Sequence, residues 1–218
     1  MRYAIFLPLL ALIAACNQKP ADLAAARDEM RAREVIHASQ GDITQAAYDI
    51  GRAQVDALEK AWFAQISAAL DTTSPDRALD ACRLDGLKTY AVFTEGMEAR
   101  VERIARHPFM AVEIDDPKAR ALLDAYLYGA ATDAGDNVQR LDEDRTLLYT
   151  RPITFSDAAC LRCHGTVGEE VDPATYAAIR RHYPNADTLQ FGGKLDSLAG
   201  VWALFVPKRR VVLSLGDE

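Results

Sequence analysis

The chain is poor in the residues that most often announce a reactive centre. It has four cysteines, four histidines and two tryptophans in 218 residues. No second Cys-x-x-Cys pair and no paired histidines complete a set of four zinc ligands. Basic charge is also short. Lys and Arg number 25 against 32 Asp and Glu, which argues against nucleic acid as a partner and against polybasic attachment to anionic lipid. Beyond the first fifteen residues no apolar run approaches the length of a membrane span. Nothing in the chain reads as a kinase or other output domain.

What stands out against this background is Cys160-Leu161-Arg162-Cys163-His164. Two cysteines two residues apart, followed at once by histidine, form the attachment pattern of c-type haem. Each thiol adds across one haem vinyl group, and the histidine presents its imidazole to iron as proximal ligand. The alternatives are a Cys-x-x-Cys disulfide and half of a zinc site.

The start of the chain favours haem. Met1 to Ala15 carries one early positive charge, Arg2, then an apolar run from Tyr3 to Ile13 and two small residues. This reads as a signal peptide, too short to be a membrane span. Ile13-Ala14-Ala15-Cys16 matches a bacterial lipobox. That match implies cleavage before Cys16, a diacylglycerol thioether on its sulfur and acylation of the new amino group, an anchor firmer than one chain gives. The alternative is an ordinary signal peptide with an incidental cysteine. Asn17 rather than Asp after the cysteine points to the outer membrane. Covalent haem is assembled outside the cytoplasm, where disulfides also form, so export and the haem motif agree. The expected location is the periplasmic face of the cell envelope.

The chain divides into a leader over 1–15, a lipid-anchored tether over 16–21, a helical arm over 22–73 and a haem domain over 74–218. Leu23 to Ser39 is rich in helix formers, and Gly41-Asp42 marks a break or a new start. Thr44 to Leu70 follows with an apolar stripe at Ala47, Ile50, Val55, Leu58, Trp62, Ile66 and Leu70, which reads as core packing. The arm could also pair with a second copy as a homodimer. Ser74 and Pro75 suit the cap and first turn of a third helix running to about Val92. Cys82 falls within it, on a face shared with Ala78, Leu79, Gly86 and Thr89. It is the one cysteine left after Cys16, Cys160 and Cys163 are assigned. A face of small residues would admit a flat ring, which makes Cys82 a candidate second axial ligand; the alternative is a small buried hydrophobe. Met97, Met110, His37, His107 and His182 are lone competitors.

Strand signals cluster later. Phe109–Ile114 is strand-like, and Pro117 opens a helix to about Tyr128. Thr146–Thr154 is β-rich, with Pro152 favouring an edge or a strand end. Pro173–Arg181 reads as a short helix and Gly200–Val206 as a strand, with Arg210–Ser214 continuing the sheet. The expected class is α+β: a helical arm, then a small antiparallel sheet carrying the haem. Arg162, Lys208, Arg209 and Arg210 are candidate propionate partners, though solvated surface is the plainer reading. Trp202 and Phe205 would line the ring or fill the core.

The chain resembles a family of single-haem c-type proteins with a PAS-like domain, found as exported proteins and as sensor regions of histidine kinases. The resemblance rests on the helix around Ala81-Cys82, on Ala159-Cys160-Leu161-Arg162-Cys163-His164-Gly165, on Tyr183-Pro184-Asn185-Ala186-Asp187, and on Phe191-Gly192-Gly193 through Ala199-Gly200-Val201. It implies one covalent haem at Cys160 and Cys163 with His164 and Cys82 as axial ligands. The stretch Val101–Asp116 departs from the family, where relatives carry an Arg-Asn-Pro-type motif, and Lys194–Ser197 looks altered too.

A haem held on both faces has no open iron position, which favours electron transfer or redox and gas sensing over catalysis. An unidentified redox partner or signalling protein is then required. The runner-up is a peroxidase-type enzyme with an open distal side, and the third class is an adaptor lipoprotein whose motif cysteines form a disulfide. Haem staining after denaturing electrophoresis separates the adaptor from the two haem readings. In cells able to mature haem c we expect a stained band at the mass of the chain, and an unstained one would favour the adaptor.

Overall fold

A reciprocal cap starts the first helix. The Ser39 hydroxyl accepts from the Asp42 N–H at 3.1 Å, and the Asp42 carboxylate accepts from the Ser39 N–H at 2.9 Å. This capping box satisfies two orphan donors at once and begins helix α1 (Gln40–Leu70) four residues before Thr44. The computed structural model describes residues 38–71, 74–84, 87–105, 117–128, 135–141, 143–184 and 191–216. The leader with Cys16, the helix expected before residue 38, the strand expected at 109–114, and His37, His107 and Met110 lie outside them.

The buried side of α1 is Ile43, Ala47, Gly51, Val55, Leu58 and Trp62, spaced by three or four, the single stripe expected of a helix on a core. It covers one face of a four-stranded sheet: β1 (Arg100–Ala105), β2 (Asn137–Leu141), β3 (Thr146–Thr154) and β4 (Leu198–Pro207). All pairings are antiparallel, in the order β1-β4-β3-β2. The helix expected as an arm therefore shares its core with the sheet, and Val55 and Leu58 bury against Trp202, Leu204 and Tyr149. The other face packs on helix α4 (Pro117–Tyr128), where Leu123 and Tyr126 meet Leu198 and Val201. The buried Tyr126 and Thr150 hydroxyls satisfy each other at 2.8 Å. Covered on both faces, β4 reads as an unbroken apolar run, and Val201 through Leu204 are fully buried.

The architecture is the expected α+β, with four differences of detail. The helix predicted from Pro75 to Val92 is two helices, α2 (Pro75–Ala81) and α3 (Lys88–Gly96), and Cys82 is the C-cap of the first. Cys82 thus shares a helical face with Ala78 and Leu79 but not with Thr89, which belongs to α3; Gly86 lies outside the described residues. Strands β1 and β2 carry too few apolar residues to be read from pattern. Pro152 lies in an interior strand, but beyond Thr150, where pairing with β2 ends. The tail predicted to extend the sheet is helix α7 (Lys208–Ser214). Two more helices, α5 (Ala158–His164) and α6 (Pro173–His182), connect β3 to β4. No helix among the described residues is long and apolar enough to cross a membrane.

Gly51 is where α1 comes closest to the sheet, and a Cβ there would overlap the Tyr149 ring. Helix propensity alone makes Gly51→Ala stabilising by about 1 kcal/mol, while overpacking costs about 1–3 kcal/mol. We expect overpacking to win and the melting temperature to fall by a few degrees. A rise would show that α1 can lift from the sheet at no cost.

Candidate functional site

Helix α5 carries the Cys-x-x-Cys-His motif and is closed at both ends. The Asp157 carboxylate caps it by accepting from the Ala159 N–H at 2.7 Å. Gly165 ends it, donating its N–H to the Leu161 carbonyl at 2.8 Å. Three residues apart on one helix, Cys160 and Cys163 share a face, and both are free thiols.

The segment before β4 clamps the motif from below. Gly193 donates its N–H to the His164 carbonyl at 2.7 Å, and Gly192 donates to the Gly165 carbonyl at 2.9 Å. A Cβ on Gly193 would sit 2.6 Å from Phe155 Cε2 and 2.9 Å from the His164 oxygen. Gly192 has φ of 82°, in the left-handed region that favours glycine. The Phe155 ring lies 5.4 Å from the His164 imidazole, tilted by 32°. The Phe191-Gly192-Gly193 stretch thus supports the motif histidine, with Phe155 at the end of β3 as its neighbour.

Cys82 reaches the same place from α2. Leu79, one turn before it, is buried with Cys163, Val171, Ala178 and Ile179. Asp76 at the start of α2 accepts from Arg181 at 3.1 Å and pairs with His182 at 2.9 Å, tying α2 to α6. The carbonyl of Cys82 accepts from the Trp62 indole at 3.2 Å and from Arg103 at 3.0 Å, and that of Ala81 accepts from Gln65 at 2.9 Å. In a continuing helix these carbonyls would accept from residues 86 and 85. Side chains of α1 and β1 accept that role instead, which is the physical reason the helix stops at Cys82.

Three thiols and an imidazole are gathered in this way from two segments about 80 residues apart in sequence. Cys82 lies within electrostatic reach of Cys160 and Cys163. Burial pushes the Cys163 thiol up to about 12, and the neighbouring Cys82 adds to the effect. Burial raises the Cys82 thiol too, opposed by the Arg103 guanidinium. Burial, and then Arg103, hold the His164 imidazole down to about 4. It is therefore neutral at physiological pH, the state in which it can ligate a metal. Cys82, Cys160 and His164 nevertheless keep some accessible surface.

These residues fit a flat, metal-centred macrocycle better than a bare ion. Among the described residues, no three His, Cys, Asp or Glu side chains converge on one metal position. The motif thiols are free and face one way, as thioether attachment requires. Arg103 adds a half-buried cation within electrostatic reach of Cys82 and His164.

The other sequence candidates lie elsewhere. Met97 packs against the main core, and His182 is engaged with Asp76. Lys208 pairs with Asp144, and Arg209 and Arg210 with Glu98. These three cations follow the end of β4 that is remote from Gly193. Arg162 reaches the Leu70 carbonyl at 3.5 Å. Trp202 is core, edge-on to Trp62 with ring centres 5.9 Å apart, and Phe205 lies under Arg100 on the opposite sheet face. Sequence reading missed Arg103, Gln65 and Phe155. Only Trp62 carried a signal, as a member of the α1 stripe.

Comparison with solved structures finds a cyanobacterial heme-protein, Tll0287, at 18% identity and a TM-score of 0.53, covering 78% of this chain and 97% of that one. At that identity the likeness shows the fold. A comparison with curated sequences finds no match. The model of one family, described as Tll0287-like, matches residues 24–207. With most of its length matched, the chain belongs to the Tll0287-like family.

Proposed function

We propose that this chain is a single-haem c-type protein of the cell envelope that carries electrons or senses redox state. Cys160 and Cys163 would hold the haem as thioethers, and His164 and Cys82 would ligate its iron. The observation that carries the reading is the arrival of Cys82 beside the motif. A free cysteine from a remote helix is bonded through its own carbonyl to Trp62 and Arg103 and lies within electrostatic reach of both motif cysteines. The name of the solved relative, a heme-protein, supports the same reading.

Haem bound here supplies one-electron chemistry at iron. The chain's own residues determine how. Burial holds His164 neutral, the protonation state in which an imidazole can ligate iron. A thiolate at Cys82 favours the more positive oxidised iron and thus a low potential relative to a thioether ligand. Filling both faces leaves no position for oxygen or peroxide, which favours a carrier or sensor over an enzyme. Phe155 and Gly193 hold His164 in place, the kind of support that keeps ligand geometry constant between redox states. The proposal extends to a lipid anchor at Cys16 on the periplasmic side and to a separate redox or signalling partner, on the reading of the leader and the chemistry of the site.

Absorption spectra of the matured protein, ferric and dithionite-reduced, test the ligand set. We expect a low-spin ferric wild type with thiolate features and a Cys82→Ala variant that turns high-spin or takes up an added ligand. Identical spectra would remove Cys82 from the site, and a high-spin wild type would favour the peroxidase reading. Cell fractionation tests the anchor: Cys16→Ala should move the haem protein out of the membrane fraction.

A further inference from the structure

Trp202 on β4 is flanked by two arginines in one row of the sheet, Arg103 on β1 and Arg151 on β3. Both side chains point towards α1, yet their surroundings differ. Arg151 bonds both oxygens of Asp136, at 3.0 Å and 2.9 Å, and reaches Asp56 at 2.6 Å. It is a fully paired structural arginine. Arg103 stacks its guanidinium 4.6 Å over the Trp62 ring and donates to the Cys82 carbonyl. Among the described residues no carboxylate forms an ion pair with it, and the ionisable groups that act on it are the Cys82 thiol and the Tyr183 hydroxyl.

A guanidinium half withdrawn from water with no carboxylate partner among the described residues loses hydration that the Trp62 ring and one carbonyl offset in part, so a purely structural role explains Arg103 poorly. A carbonyl could be capped by Trp62 alone, since its indole already donates to the same oxygen. Arg103 adds positive charge within electrostatic reach of both the proposed sulfur ligand and the proposed imidazole ligand.

We propose that Arg103 is the positioning residue for the sixth ligand: stacked on Trp62 and bonded to the Cys82 carbonyl, it fixes the Cys82 sulfur on the haem iron and supplies the positive charge that faces it. The inference rests on Cys82 being a ligand. Gln65, bonded to the Ala81 carbonyl, assists by holding the preceding peptide. Lysine would keep the charge at this position but lacks the planar fork that stacks and donates together.

The test uses full-length, haem-loaded wild type, Cys82→Ala, Arg103→Gln and Arg103→Lys. The readouts are ferric spectra, midpoint potentials and the rate at which the dithionite-reduced protein binds CO, with circular dichroism as a control for folding. We expect Arg103→Gln to show a ferric spectrum between wild type and Cys82→Ala. Its CO binding should be faster than wild type by about tenfold, the size of one lost charge-assisted hydrogen bond. Arg103→Lys should shift the same way by less, with a potential nearer wild type. If Cys82→Ala departs from wild type while both Arg103 variants match it in spectrum, potential and CO rate, Arg103 has no positioning role and the ligand assignment stands. If Cys82→Ala itself matches wild type, the ligand assignment fails and this inference with it. Should Arg103→Gln not accumulate, Arg103→Lys carries the decision, and its identity with wild type in all three readouts overturns the proposal.

Discussion

The carbonyl oxygen of Cys82 accepts two hydrogen bonds from outside its own helix, and the shape of the site depends on them. With Trp62 and Arg103 donating to that oxygen and Gln65 to the one before it, α2 has no free acceptors on which to propagate and must end. Trp62 is itself fixed, its ring edge-on to the fully buried Trp202. The position of Cys82 is therefore set by the core of the sheet. Local helix propensity in a seven-residue helix would be too weak to set it.

The opposite wall is built by different means towards the same end. His164 closes a short helix whose exit is held by backbone bonds from Gly192 and Gly193, just before β4, and its ring neighbours Phe155, just after β3. The two central strands thus deliver both supports of the motif from one end of the sheet, while α1 and β1 deliver the supports of Cys82. A site whose groups hang on separate rigid elements holds its geometry when its ligands change charge. That is the property a redox centre requires.

The legible parts of the sequence were those whose signal is local. The motif residues stand out by spacing alone, α1 by hydrophobic period, and β3 and β4 by their β-rich and apolar composition. The misread tail shows the limit of composition. Val211, Val212 and Leu213 are good strand formers, yet Val211 and Leu215 pack on the core while Leu213 is 45% exposed. Positions four apart on one side mean a helix, and a strand would have put Val211 and Leu213 together. Strand β1 was illegible because Arg-Val-Glu-Arg-Ile-Ala offers two large apolar residues and one of its inward positions is Arg103. The break after Cys82 was equally hidden, since its cause lies in side chains 20 residues before and 21 after. Cys82 was a candidate for a partly mistaken reason: Thr89, drawn on its small-residue face, belongs to the next helix.

One stripe of α1 explains why the two arginines beside Trp202 have different fates. Asp56, Glu59, Trp62 and Gln65 recur every three residues and so climb one side of the helix. The acidic half meets Arg151, with Glu59 also accepting from the Trp202 indole at 2.8 Å. The half without charge meets Arg103 and the end of α2. A carboxylate at position 62 or 65 would pair with Arg103 and cancel its field, as Asp56 and Asp136 do for Arg151. It would also remove a donor from a helix end that needs donors, since an ionised carboxylate only accepts. The change from acid to neutral donor within three turns of α1 therefore serves two needs together. It caps α2 at Cys82, and among the described residues it leaves Arg103 without a carboxylate partner, within electrostatic reach of Cys82 and His164.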